Sequence, residues 1–175
     1  MEIEKKYLIQ AVPFDLSGYQ AVRLEQGYIA VQPVIRIRRA DDKYILTVKS
    51  KGLLARQEYE LFLSEEEYVS LSDKVEGNIL SKTRYIIPLT DTNGTCGDAL
   101  ADKELNVELD IFEGDFKGLV YAEVEFPSCE LAEAFVPPDW FYREVTFDNR
   151  YHNSSLSSMN KKDIDAFIKR ISVIG

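Results

Sequence analysis

The sequence predicts an α+β fold, an eight-stranded antiparallel β-barrel with a charged lumen and helices packed outside it. Two observations carry that prediction. Eight segments rich in β-branched and aromatic residues recur along the chain, at about 2–9, 26–32, 34–40, 43–51, 56–63, 80–89, 103–112 and 120–127. Seven of these eight also repeat one device, a pair of like charges two residues apart with apolar residues beside them. In a strand, residues two apart share a face, so each segment would present a charged face and an apolar face.

The elements follow in order. MEIEKKYLI places Glu2, Glu4 and Lys6 on one face and Ile3, Lys5 and Tyr7 on the other. A short helix is read at Leu16–Tyr19. VIRIRR carries Arg36 and Arg38, and the turn Ala40-Asp41-Asp42-Lys43 joins it to LTVKSK, which carries Lys49 and Lys51. QEYEL supplies Glu58 and Glu60. Ser64 followed by Glu67 is a capping box, and the helix it opens runs to about Lys74 with Gly77 beyond. LSKTRYII supplies Lys82 and Arg84, and TDTNGTCGD at 90–98 reads as an exposed hairpin loop. NVELDIF and AEVEF supply Glu108, Asp110, Glu123 and Glu125. Ser128 opens a second helix that stops before Pro137-Pro138. A third, from about Lys161, has Ile164, Phe167, Ile168 and Ile171 at helical spacing.

The whole chain, 1–175, reads as a single domain. No apolar run approaches the roughly 20 residues of a membrane helix, and the N-terminus has no signal-like pattern, so a cytoplasmic protein off the membrane is expected. Cys96 and Cys129 match no metal spacing and read as free thiols. A net charge of −9 argues against a duplex nucleic-acid surface. It leaves room for a local basic site.

A sheet with a solvated, salt-bridged outer face would alternate in the same way. The other arrangement turns the charged faces inward, where eight carboxylates meet seven bases. Such a lumen must be wet, paired or occupied. Carboxylates without His or Cys select hard cations, Mg²⁺ or Mn²⁺. Clustered Arg and Lys select phosphate oxygens. A metal–polyphosphate complex satisfies both, and one or two divalent ions would carry the formal lumen charge from −1 to +1 or +3.

With these residues assembled, Glu2-Ile3-Glu4-Lys5-Lys6 resembles the E-x-E-x-K signature of the CYTH superfamily, the triphosphate tunnel metalloenzymes. QGY at 26–28, RIR at 36–38, TVKSKG at 47–52, ELDIFEG at 108–114, AEVEF at 122–126 and EVTFDNRYHNSSL at 144–156 look like later segments of that family, in order. Phe147 stands where many members have Gly. The resemblance implies an eight-stranded tunnel and a divalent-metal-dependent hydrolase, with Glu2, Glu4, Asp110, Glu123 and Glu125 on the metal. It implies Lys6, Arg36, Arg38, Lys49, Lys51 and Arg84 on the phosphates, with Lys82 included from its face and Arg150 as a weaker match. Glu58, Glu60 and Glu108 have no single role, and Glu2, Glu4, Lys6 and Arg38 are the expected catalytic core.

The family's chemistries separate on motifs. The HFxG-like motif of class IV adenylate cyclases is absent, and the single histidine, His152, lies late in the chain. Tyr28, Trp140 and Phe141 could form the organic-group pocket of a thiamine triphosphatase, but nothing in the sequence fixes them there. The expected reaction is hydrolysis of inorganic tripolyphosphate. A polyphosphate- or nucleotide-binding module is the non-enzymatic alternative, and a homodimer is left open.

Overall fold

The structure is a computed structural model and describes residues 3–49, 58–96 and 105–172. Nine strands form one antiparallel sheet: β1 (Glu4–Ile9), β2 (Gln20–Val31), β3 (Val34–Ala40), β4 (Lys43–Lys49), β5 (Glu58–Leu63), β6 (Leu80–Pro88), β7 (Asn106–Phe112), β8 (Val120–Glu125) and β9 (Phe141–Glu144). Their order across the sheet is β5-β4-β3-β2-β6-β7-β8-β1-β9. Four α-helices accompany them: α1 (Glu65–Ser72), α2 (Cys129–Ala134), α3 (Asn153–Ser157) and α4 (Lys161–Ser172). Among the described residues no helix is long and apolar enough to cross a membrane.

The eight expected strands are present with a ninth, and among the described residues the hydrogen-bonded ladder does not close into a ring. β9 adds to the edge of β1. It pairs with β1 through Tyr7↔Glu144 and Leu8↔Arg143. The following residues continue along the same edge, with Val145 N–H donating to Lys6 O at 2.8 Å and Lys6 N–H donating to Thr146 Oγ1 at 3.1 Å. The edge of β1 that a ring would use is therefore occupied.

Three further expectations change. β2 starts at Gln20 rather than 26. The segment at Leu16–Tyr19 is one hydrogen-bonded turn, because Asp15 captures the Ser17 N–H and hydroxyl and diverts the backbone from a helix. The expected exposed loop after β6 is partly drawn inward: Thr95 pairs with Val136 in both directions and Cys96 is buried. The capping box stands as read, with Ser64 N–H donating to Glu67 at 2.7 Å and Glu67 N–H to Ser64 at 3.2 Å.

The alternation sorts side chains into two cores. The outer face of β1, β6, β7 and β8 carries Tyr7, Ile87, Leu109, Ala122 and Val124, covered by Leu131 of α2 and by Phe126, Phe135 and Phe141. The inner face is apolar at one end only. There Leu8, Leu80, Phe112 and Tyr121 pack beneath Leu156 of α3 and Ile164 and Phe167 of α4. Two residues further along each of these strands the inner face turns charged, from Leu8 to Lys6, from Leu80 to Lys82, from Phe112 to Asp110 and from Tyr121 to Glu123. The helices thus floor the inner face, and charge begins directly above that floor.

Candidate active site: a charged cavity within the curled sheet

Seven strands and α3 contribute to one cavity of about 290 Å³. It is lined by Glu4 and Lys6 of β1, Leu24 and Gln26 of β2, Arg36 and Arg38 of β3, Lys49 of β4, Lys82 and Arg84 of β6, Glu108 of β7, Glu123 and Glu125 of β8, and Asn153 of α3. Strands from both halves of the sheet can border one small volume only if the sheet curls strongly, as native twist allows. Register explains the set. Lys6 stands opposite Glu123, Arg84 opposite Asp110, Arg36 opposite Tyr28, and Arg38 opposite Gln26.

The deepest layer is a saturated ionic network. Lys82 and Asp110 are fully buried, at 1% and 0% exposure, and are ion-paired to each other. Arg84 reaches Asp110 Oδ1 and Glu123 Oε2, each at 2.6 Å, and also pairs with Glu108. Lys6 Nζ lies 2.9 Å from Glu123 Oε1. Burial alone would strip charge from these groups, and the partners decide the outcome. Burial opposes the charged forms of Lys6 and Arg84, but the surrounding carboxylates outweigh it and hold both above their ordinary values. Glu123 is held below its ordinary value despite burial, by Lys6, Lys82 and Arg84. Lys82 is pushed down, because its burial is complete and Arg84 adds to it. Glu108 is pushed up by burial, with Glu123 and Asp110 adding to the effect.

Among the described residues the opposite wall has fewer ion pairs. Arg36 lies 3.8 Å from Glu58 and donates to Thr47 Oγ1 at 3.2 Å. Lys49 shares the same Glu58 at 3.0 Å. Arg38 has no ion-pair partner among the described residues. Burial and the neighbouring Arg36 and Arg84 push its pKa down, with Glu60 partly opposing. The Nε atoms of Arg36 and Arg38 are buried and find no acceptor among the described residues. Buried guanidinium nitrogens without acceptors are costly, and a phosphate oxygen would supply the missing acceptor.

Of the other residues singled out from sequence, Glu60 accepts weakly from Thr47 at 3.5 Å at the edge of this wall. Glu2 and Lys51 lie outside the described residues. Arg150 is not brought to the cavity. It is exposed, and Asp148, two residues before it, holds its guanidinium through Nε at 2.9 Å and Nη2 at 2.6 Å. Gln26, Leu24 and Asn153 line the cavity and escaped the charge pattern, being uncharged. Tyr28 is also buried here and accepts from Gln26 Nε2 at 3.2 Å. The register of β2 against the RIR strand could have found Gln26 and Tyr28, and Asn153 lies within the EVTFDNRYHNSSL segment that resembles the family, although no role was read for it there.

The donor set suits a hard cation in kind: carboxylates alone, with no His or Cys lining the cavity. Glu4 and Glu125 stand directly opposite one another across β1 and β8. Like charges so placed repel unless a cation lies between them. The deeper carboxylates already hold bases, and among the described residues no group of three or more metal-ligating side chains is placed around one point.

No model of a protein family matches the chain. Two characterised relatives do. The inorganic triphosphatase of Nitrosomonas europaea is 38% identical over 159 residues, spanning 89% of this chain and 96% of the relative. The inorganic triphosphatase of Acetivibrio thermocellus is 33% identical over 159 residues, spanning 89% and 92%. The chain belongs to the inorganic triphosphatase family. The crystal structure of the inorganic triphosphatase NE1496 has the same fold, with a TM-score of 0.68, 35% identity, and coverage of 91% of this chain and 96% of that one. The family relationship therefore extends over nearly the full length of both chains, across the strands that build the cavity.

Proposed function

We propose that the protein is a divalent-metal-dependent hydrolase of inorganic tripolyphosphate, acting inside a triphosphate tunnel of the CYTH type formed by the curled sheet. The observation that carries the reading is the pair of buried, acceptorless guanidinium nitrogens on Arg36 and Arg38 in a cavity whose opposite wall is lined with carboxylates. An anionic chain with a cation on it satisfies both walls. The substrate carried by the related enzymes' name is such a chain.

Arg36, Arg38 and Lys49 bind and orient the non-bridging oxygens. They place the terminal phosphorus in the cavity and neutralise charge there as the bridging bond breaks. Glu4 and Glu125, with Glu123 behind them and Glu2, two residues before Glu4 in the sequence, would hold Mg²⁺ or Mn²⁺. The bound ion supplies electrostatic stabilisation of the phosphate oxygens and a polarised water. The deep network of Lys82, Asp110, Arg84 and Glu123 keeps the floor rigid, and its bases favour the ionised form of Glu123. Lys6 faces both Glu123 and the cavity and can pass from carboxylate to phosphate when the substrate arrives.

Phosphate release from tripolyphosphate and from ATP, with and without chelator, tests this. The wild type should release phosphate from tripolyphosphate faster than from ATP, and chelator should stop it. Glu4→Gln should abolish turnover and weaken Mg²⁺ binding measured by calorimetry, while retaining part of the affinity for tripolyphosphate. Chelator-insensitive turnover would remove the metal. Accumulation of cAMP from ATP would replace the hydrolase with a cyclase.

A further inference from the structure

Among the described residues, Asn153 is the one cavity residue that comes from a helix, and its Oδ1 is buried and has no hydrogen-bond donor. A buried carbonyl oxygen without a donor is costly, and such groups in native folds have a reason. The chain spends structure on holding it there. Asn78, in the connector between α1 and β6, donates from Nδ2 to Met159 O at 2.6 Å and to Ser157 O at 3.1 Å. Its backbone N–H donates to the same Ser157 O at 2.7 Å. Gly77 lets the connector come this close: its φ is +83°, and a Cβ there would lie 2.2 Å from Ser157 O. Leu156 and Ser157 are fully buried. The far end of α3 is thus held by the connector, and its first residue lines the cavity.

We infer that Asn153 is a further residue of the reaction site, its side-chain oxygen accepting a hydrogen bond from the attacking water and so turning the water's lone pair toward the terminal phosphorus. The inference rests on the triphosphatase reading. A water attacking phosphorus must direct its O–H bonds away from it, so it needs an acceptor. Asp110 and Glu123 are held by Lys82, Arg84 and Lys6. A carboxylate beside the terminal phosphoryl oxygens would also meet their repulsion. A carboxamide oxygen accepts without charge. It is no base, so it orients the water without taking its proton. In the step itself the water oxygen bonds to the terminal phosphorus and the bridging P–O bond breaks, its electron pair leaving on the pyrophosphate oxygen. One water proton stays on orthophosphate and the other goes to pyrophosphate: P₃O₁₀⁵⁻ + H₂O → HPO₄²⁻ + HP₂O₇³⁻.

The test is steady-state kinetics on tripolyphosphate for wild type, Asn153→Ala and Asn153→Asp, with melting temperature and binding of the non-hydrolysable imidotriphosphate as companions. Asn153→Ala should lower kcat by about tenfold to a hundredfold, the cost of a misplaced reactant, with KM and imidotriphosphate affinity within about threefold of wild type. Asn153→Asp keeps the acceptor and adds a charge. It should lower kcat less than Asn153→Ala and raise KM more. Wild-type kcat in Asn153→Ala, a rise in KM alone, or the reverse order of the two variants would each overturn the assignment. If Asn153→Ala does not fold, the isosteric Asp variant decides, and its kcat falling below a hundredth of wild type overturns the assignment. A wild type that leaves tripolyphosphate intact would overturn the function itself, before Asn153 is reached.

Discussion

The two walls of the cavity carry the same alternating charge code and neutralise it differently. On β6, β7, β8 and β1, every buried base has a carboxylate within ion-pair distance, and Arg84 alone engages Asp110, Glu108 and Glu123. On β3 and β4, Arg36 and Lys49 share one carboxylate, Glu58, and Arg38 has none among the described residues. A saturated network resists both removal and exchange, because each partner it loses leaves a buried charge uncompensated. An unsaturated wall is strained when empty and relieved by an anion. The difference separates bases that hold the fold from bases that wait for substrate, although both arise from the same pattern of residues.

The largest expected effect falls on the saturated wall. Asp110→Ala removes the acceptor of Lys82 and two of Arg84's bonds at a fully buried carboxylate. Losing one partner of a buried pair costs about 3–5 kcal/mol. For a chain of this length that is a fall in melting temperature of about 6–20 °C. A shift smaller than about 2 °C would show that the network contributes little and would erase the contrast.

Arg38→Ala is the complementary change on the open wall. It removes a buried cation that repels Arg36 and Arg84 and has no ion-pair partner among the described residues. The melting temperature of the ligand-free protein should stay the same or rise. The Kd for tripolyphosphate should increase about tenfold to a hundredfold, the worth of a charge-assisted hydrogen bond. A loss of stability comparable to that of Asp110→Ala would place Arg38 with the structural bases.

Much of this was legible in the sequence, and the failures share a cause. Alternation reports which face a side chain takes. It does not report depth along that face. Lys82 and Arg84 looked equivalent, yet Lys82 stands next to Leu80 above the helix-covered floor and Arg84 one layer nearer the opening. Had the neighbouring apolar residue been weighed, Lys6, Lys82, Asp110 and Glu123 would have separated from Glu4, Arg84, Glu108 and Glu125. β9 was missed because four residues after a Pro-Pro turn offer only two positions per face, too few to show a period. Gln26 is uncharged, and Asn153 arrives from a five-residue helix whose place is set by a contact 79 residues away in sequence, between Asn78 and Ser157.

Arg150 was grouped with the phosphate bases, and the structure gives it a local partner that the sequence displays only two residues away. Asp148 Oδ1 accepts from the Arg150 backbone N–H at 3.1 Å and both carboxylate oxygens take its guanidinium. These contacts lower the Asp148 pKa from 3.8 to about 2, first through the Arg150 side chain and then through its backbone N–H, with burial opposing. The folded value lies below the unfolded one. The stabilisation is therefore complete above about pH 4 and is lost as the pH falls from there toward 2. The pair is exposed, with the Arg150 side chain 59% accessible, so solvent screening leaves little of it. Asp148→Asn should lower the melting temperature at pH 7 by about 2 °C or less, and that difference should vanish near pH 2. The variant keeps the side-chain oxygen that caps the turn into α3 and frees the guanidinium. KM for tripolyphosphate should not move. A KM change of about fivefold or more would mean that Arg150 reaches the substrate after all, and the open wall would gain a base from the C-terminal segment.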